Sequence, residues 1–157
     1  WRIASIAEAR GWRITHALET HVHNDYLSGA KELEARHGSH IVAPGQGDYA
    51  FAHAPADEGT EVAAGSGGLV ARATPGHTPG HLVFFHPESR LALVGDVLFK
   101  GSIGRTDFPR GNHAQLLRSI RERLWPLGDD VRFIPGHGPS SSFGEERRSN
   151  PYVAEPL

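Results

Sequence analysis

The chain contains no cysteine and no methionine. Without cysteine there can be no disulfide and no thiolate ligand. Any metal must then be held by imidazole, carboxylate and water, a donor set that suits zinc, iron or manganese. The lack of methionine extends to position 1, which is Trp1. The sequence is therefore expected to be a processed, trimmed or partial product. No apolar run is long enough to cross a bilayer, and no secretory or transit signal opens the chain. A membrane location is not expected, and the lack of cysteine fits the cytoplasm. Charge of one sign is scarce as well. Lys and Arg total 16 against 18 Asp and Glu, so no basic stripe is available for nucleic acid.

What remains is a chain of 157 residues, enough for one domain over 1–157 with a buried core. Its 19 glycines and 11 prolines imply many turns. Its 11 histidines invite a search for metal ligands, although a lone histidine is usually structural. His37, His40, His53 and His86 take that structural reading, and so do His81 and His113.

Four stretches depart from it. In Glu19-Thr20-His21-Val22-His23-Asn24-Asp25-Tyr26, three ligand-type residues fall at every second position. In extended backbone, residues two apart point to one side, so His21, His23 and Asp25 can aim at one point. Thr74-Pro75-Gly76-His77-Thr78-Pro79-Gly80-His81 sets a histidine between two Pro-Gly turns. Leu91 to Gly95 is an apolar run that ends in Asp96, and Phe133 to Gly136 delivers His137 in the same way. Each repeats one design: a hydrophobic strand, a tight turn, then a ligand-type residue at the strand end. Such ends favour a site outside the carboxyl edge of a sheet.

The rest of the chain supplies the scaffold. Residues 3–10 predict a short helix closed by Gly11, and 12–18 a strand leading into the histidines. Residues 28–37 predict a helix stopped by Gly38, followed by a strand at 40–43. Residues 46–58 lack periodicity and predict a loop beside the site, pinned by Tyr49 and Phe51. Two hairpins are expected, 61–64 with 69–73 and 81–85 with 91–94. A Gly-rich loop at 101–111 precedes a helix at 113–124, capped by Asn112, with Leu116, Leu117, Ile120 and Leu124 inward. A last strand at 131–134 and a short helix from Glu145, stopped by Pro151, close the chain. Mixed, irregularly ordered elements point to α+β or layered α/β. Arg105 is a candidate for a substrate carboxylate, with a pair to Asp107 as its structural alternative. Tyr26 is a candidate hydrogen-bond donor to substrate or to a metal-bound water, or else packs against the helix at 28–37.

The order HxHxD, GHTPGH, strand-end GD and PGHGP resembles the metallo-β-lactamase superfamily over about residues 12–152. The resemblance implies an αββα sandwich with metal at one edge between two sheets. Carried over by motif, His21, His23 and His77 resemble the ligands of a first metal, and Asp96 a bridging carboxylate. Asp25 and His137 resemble ligands of a second. Where the family's hydrolases have histidine after the aspartate, this chain has Tyr26. Two branches are similar. Gly104-Arg-Thr-Asp-Phe-Pro-Arg-Gly111, the His137 turn and Glu146-Arg-Arg-Ser-Asn-Pro151 look like glyoxalase-II-like hydroxyacylglutathione hydrolases. That branch implies thioester hydrolysis by a metal-activated water, with one or two Zn2+ and Asp25 orienting the water or moving a proton. The stretch from Glu19 to Tyr26 looks like persulfide dioxygenases. That branch implies a single Fe2+ on His21, His77 and Asp96, acting on glutathione persulfide. The expected reading is the hydrolase, with the dioxygenase as alternative and a truncated metal-binding chain without turnover as the second alternative. The family places further strands before HxHxD. The chain is therefore expected to be N-terminally incomplete, or to have this surface covered by another copy in a homo-oligomer.

Overall fold

The structure, a computed structural model, describes residues 2–22 and 27–155. Its elements run α1 (Arg2–Ala9), β1 (His16–Leu18), α2 (Ala30–His37), β2 (His40–Pro44), β3 (Ala54–Ala56), β4 (Glu61–Ala64), β5 (Gly67–Ala73), β6 (Leu82–His86) and β7 (Leu91–Gly95). Then follow β8 (Leu98–Phe99), β9 (Ser102–Ile103), α3 (His113–Ser119), β10 (Arg132–Pro135), β11 (Ser141–Ser142) and α4 (Phe143–Ser149). One sheet has the order β1-β2-β3, the second β11-β10-β7-β6-β5-β4, and β8 pairs with β9. No helix among the described residues is long and apolar enough to cross a membrane.

Alternation along the strands separates the layers, because successive side chains point to opposite faces. In β6, Leu82 and Phe84 face Val42 and Ala56 of the other sheet, with Leu18 against them. Val83 and Phe85 face the helices, where Leu116, Ile120, Leu124, Trp125 and Phe143 complete the larger core. In β1 and β2, Ala17 and Ile41 turn outward to Ala30 and Leu33 of α2. Three apolar layers thus lie between four layers of structure, the αββα sandwich. Phe84 and Phe133 are fully buried, each a contribution of roughly 1.5–3 kcal/mol.

Several elements differ from expectation in their limits. The strand expected over 12–18 covers only His16–Leu18, because pairing with β2 begins at His16 and His40. The stretch 46–58 holds a strand, β3, which pairs in parallel with β2. Ala-Pro-Ala offers no β-branched or aromatic residue to announce it. The first hairpin closes through the two residues Gly65 and Ser66, so Gly67 and Gly68 belong to β5. The segment 101–111 contains β9, paired with β8. The helix after Asn112 is α-helical only to Ser119, then widens to a π turn over Ile120–Leu124 and tightens to a 3-10 turn over Trp125–Leu127. Pro126 cannot donate to Glu122, which explains why the regular ladder fails there. Asn112 caps α3 as expected, accepting from the Gln115 N–H at 3.0 Å.

Candidate metal centre

Parallel pairing brings two of the strand ends together. β10 runs parallel to β7, and the Gly136 N–H donates to the Gly95 carbonyl at 2.8 Å. Asp96 and His137 therefore leave adjacent strands on the same edge. Beyond β1, the Glu19 N–H donates to Val42 O at 2.9 Å and Thr20 O accepts from the Leu82 N–H at 2.8 Å. The segment is thus stitched to both sheets just before His21. His77 lies in the turn between β5 and β6, held where the Gly76 N–H meets Thr78 O.

His21, His77 and Asp96 converge. One ligand atom from each lies within 4.8 Å of the others, and all three side chains are buried. Nε2 of His21 and of His77 each stand 3.8 Å from Asp96 Oδ2. His137 Nε2 is nearer still, at 3.2 Å, but its side chain is 66% exposed. Asp96 Oδ1 is buried and makes no hydrogen bond among the described residues. A buried carboxylate oxygen left in that state is costly unless a cation meets it. Two imidazole nitrogens and a carboxylate at this spacing fit a divalent transition metal.

The second nitrogen of each ring is also accounted for. His77 Nδ1 donates to the Arg105 carbonyl at 2.7 Å, which leaves Nε2 with its lone pair toward Asp96. His21 Nδ1 stands 3.0 Å from Thr20 Oγ1. Behind both rings sits His81, stacked on His21 at 4.8 Å and edge-on to His77 at 6.1 Å. Its Nε2 accepts from the Asp96 N–H at 3.1 Å, so its proton is on Nδ1, 3.0 Å from Thr74 Oγ1. Burial, with the nearby His21 and His77, holds its pKa well below the usual imidazole value and keeps it neutral. The close packing also fixes the residue at 95. Gly95 has φ +50°, and a Cβ there would lie 2.6 Å from Thr20 Oγ1 and 2.8 Å from His81 Nε2.

Of the expected site residues, His21, His77, Asp96 and His137 come together. His23, Asp25 and Tyr26 lie outside the described residues. The Arg105 guanidinium meets Asp107, the pairing also expected for it. It pairs with both Asp107 oxygens at 2.8 and 2.7 Å and lies 3.9 Å over the Phe108 ring. Those hydrogen bonds hold the Asp107 carboxyl down to about 2. The Arg105 carbonyl reaches the cluster, through the His77 ring. His81, read from the sequence as structural, touches all three members of the cluster. Its signal was the second histidine of GHTPGH, four residues after His77. A cleft of about 350 Å3 opens beside His77, between Val22, Gln46, Pro79, Phe108 and Arg110. A smaller one of about 240 Å3 is lined by His21, Asp96 and His137.

Comparison with protein families matches residues 1–137 to the metallo-beta-lactamase superfamily. The chain belongs to that superfamily. Two curated relatives represent its two similar branches. The hydroxyacylglutathione hydrolase GloC of Haemophilus influenzae is 56% identical over 79 residues, 50% of this chain and 37% of that protein. The human mitochondrial persulfide dioxygenase ETHE1 is 31% identical over 156 residues, 96% of this chain and 61% of that protein. The chain thus matches less than two thirds of the length of either relative. Among solved structures, ETHE1 from Myxococcus xanthus superposes with a TM-score of 0.91 at 32% identity, covering 98% of this chain and 68% of that one.

Proposed function

We propose that this superfamily domain is an Fe(II)-dependent dioxygenase acting on a low-molecular-weight persulfide of the glutathione class. One observation carries the reading. The likeness to ETHE1 proteins spans 96% and 98% of the chain, whereas the 56% identity to the hydrolase is confined to half of it. The cluster supports it. Among the described residues, His21, His77 and Asp96 form a two-histidine, one-carboxylate set, the kind that leaves open positions on non-haem iron. Bound there, Fe2+ would supply redox chemistry and places for oxygen and a substrate sulfur. The chain's own residues prepare the site. The Arg105 carbonyl keeps the Nε2 lone pair of His77 turned inward. His81 fixes the backbone of Asp96. His137 Nε2, 3.2 Å from Asp96 Oδ2 and exposed, is placed to donate to that carboxylate or to exchange a proton with solvent. The 350 Å3 cleft, with Val22, Pro79 and Phe108 in its wall, takes the substrate beside His77.

The hydrolase expected from the sequence is the second reading, with one or two Zn2+ and a thioester such as S-lactoylglutathione as substrate. Its support is the local 56% identity and the approach of a further imidazole, His137, to Asp96. Protein purified without added metal separates the two. One iron per chain, with oxygen consumed on addition of glutathione persulfide, is the expected result. Metal approaching two per chain, with thiol released from S-lactoylglutathione in the absence of oxygen, overturns it in favour of hydrolysis. Metal uptake with neither activity leaves the third reading, a metal-binding chain without turnover.

A further inference from the structure

Asp96 and the Arg105 carbonyl are the two ends of one short excursion of the chain. It leaves the cluster at Asp96, turns through β8 and β9, and returns at Gly104, whose N–H donates to Val97 O at 3.2 Å. A Cβ on Gly104 would overlap the carbonyl oxygen of Asp96, so the returning strand lies against the departing one. One residue later, Arg105 O accepts from His77 Nδ1. The position of this excursion therefore sets both the carboxylate and the orientation of an imidazole.

Its tip is held from the far end of the sequence. Glu146 and Asn150 of the last helical segment are buried, at 1% and 0% exposure. Glu146 Oε2 accepts from the Gly101 N–H at 2.7 Å and from Asn150 Nδ2 at 2.9 Å. Asn150 Nδ2 also faces the carbonyls of Ser102 at 3.0 Å and Phe99 at 3.3 Å. Glu146 Oε1 accepts from Ser141 Oγ at 2.5 Å. Asn150 Oδ1 accepts from the Tyr152 N–H at 3.1 Å. Burying a carboxyl and an amide is unfavourable unless their hydrogen bonds are made, and here three of the main-chain partners, Phe99, Gly101 and Ser102, lie in or beside the turn between β8 and β9. A hydrophobic pair would fill the same volume without fixing that turn.

We propose that Glu146 and Asn150 are positioning residues: a buried latch on the β8–β9 turn that sets how tightly His21, His77 and Asp96 hold a divalent cation. The inference rests on the metal centre above but not on which reaction it serves. Its test is titration of the full chain with Co2+, followed by the visible absorption of the bound ion. Glu146→Gln keeps an acceptor for Gly101 and Asn150 and turns its amide to Ser141 Oγ, so its affinity should match the parent's. Glu146→Ala should bind about 10- to 100-fold more weakly, with an altered cobalt spectrum. Leu124→Ala, a cavity in the core of the helical layer, should lower the melting temperature without moving the cobalt affinity of the folded chain. Should Glu146→Ala be too unstable to titrate, Ser141→Ala removes one hydroxyl and should weaken binding about threefold. Parental affinity in the measured variant, or equal weakening in Leu124→Ala, overturns the latch. A parent chain that binds no Co2+ overturns the metal centre itself and the latch with it.

Discussion

The two sides of Asp96 are built differently. On one side, His21 and His77 are buried and the second nitrogen of each ring is engaged by Thr20 Oγ1 or by the Arg105 carbonyl. His81 backs both rings and takes the Asp96 N–H. On the other side, His137 projects from a Pro-Gly turn, 66% exposed, with Asp96 Oδ2 at 3.2 Å and the Phe99 ring at 6.2 Å. The buried side is preorganised: its donors need little rearrangement to meet a cation, and binding there loses little side-chain entropy. The exposed side keeps rotamer freedom and contact with water. The contrast favours one tight metal position at His21, His77 and Asp96, with His137 working beside it.

The strongest test of that contrast is Asp96→Ala. Among the described residues it removes the carboxylate that faces all three imidazoles, so metal binding should be lost to below detection. Elemental analysis after purification checks this. Retention of a full equivalent of metal would mean that the cluster is held by other donors and that the buried side is not the binding side.

A second, smaller effect is expected from His81→Ala, which touches no metal in this arrangement. The variant frees the Asp96 N–H inside the protein and removes the ring stacked on His21. Loss of an outer partner of this kind typically costs about 10- to 100-fold in metal affinity. His81→Asn can still present an oxygen to the Asp96 N–H and should recover part of the loss. Competition with a chelator measures both. Equal affinity in parent and alanine variant would reduce His81 to core filling.

How much of this was legible in the sequence follows from range. Period-two alternation and Pro-Gly turns are local, and they revealed β6, β7 and β10 together with the strand-end positions of His77, Asp96 and His137. Residue type and spacing also marked His21. Partners that depend on tertiary approach left no local trace. The carbonyl of Arg105 looks like any other in sequence, where only the guanidinium stands out. His81 resembles a spare histidine until β6 and the end of β7 are placed together. β3 was hidden because parallel pairing with β2 recruits an Ala-Pro-Ala stretch with no strand propensity of its own.

The smallest expected effect is that of His137→Ala. If the exposed side holds no metal of its own, the variant keeps one metal per chain, and its affinity falls by no more than about threefold, the scale of one lost hydrogen bond. Turnover should fall further than affinity, since a proton-exchanging group beside Asp96 acts during reaction rather than in holding the ion. Metal content and steady-state rate, measured on one preparation, separate the two quantities. A drop from two metals to one would instead make both sides of Asp96 binding sides. It would restore the dinuclear arrangement and move the hydrolase to first place. No change in metal content or in rate would leave His137 a surface residue whose distance to Asp96 has no consequence.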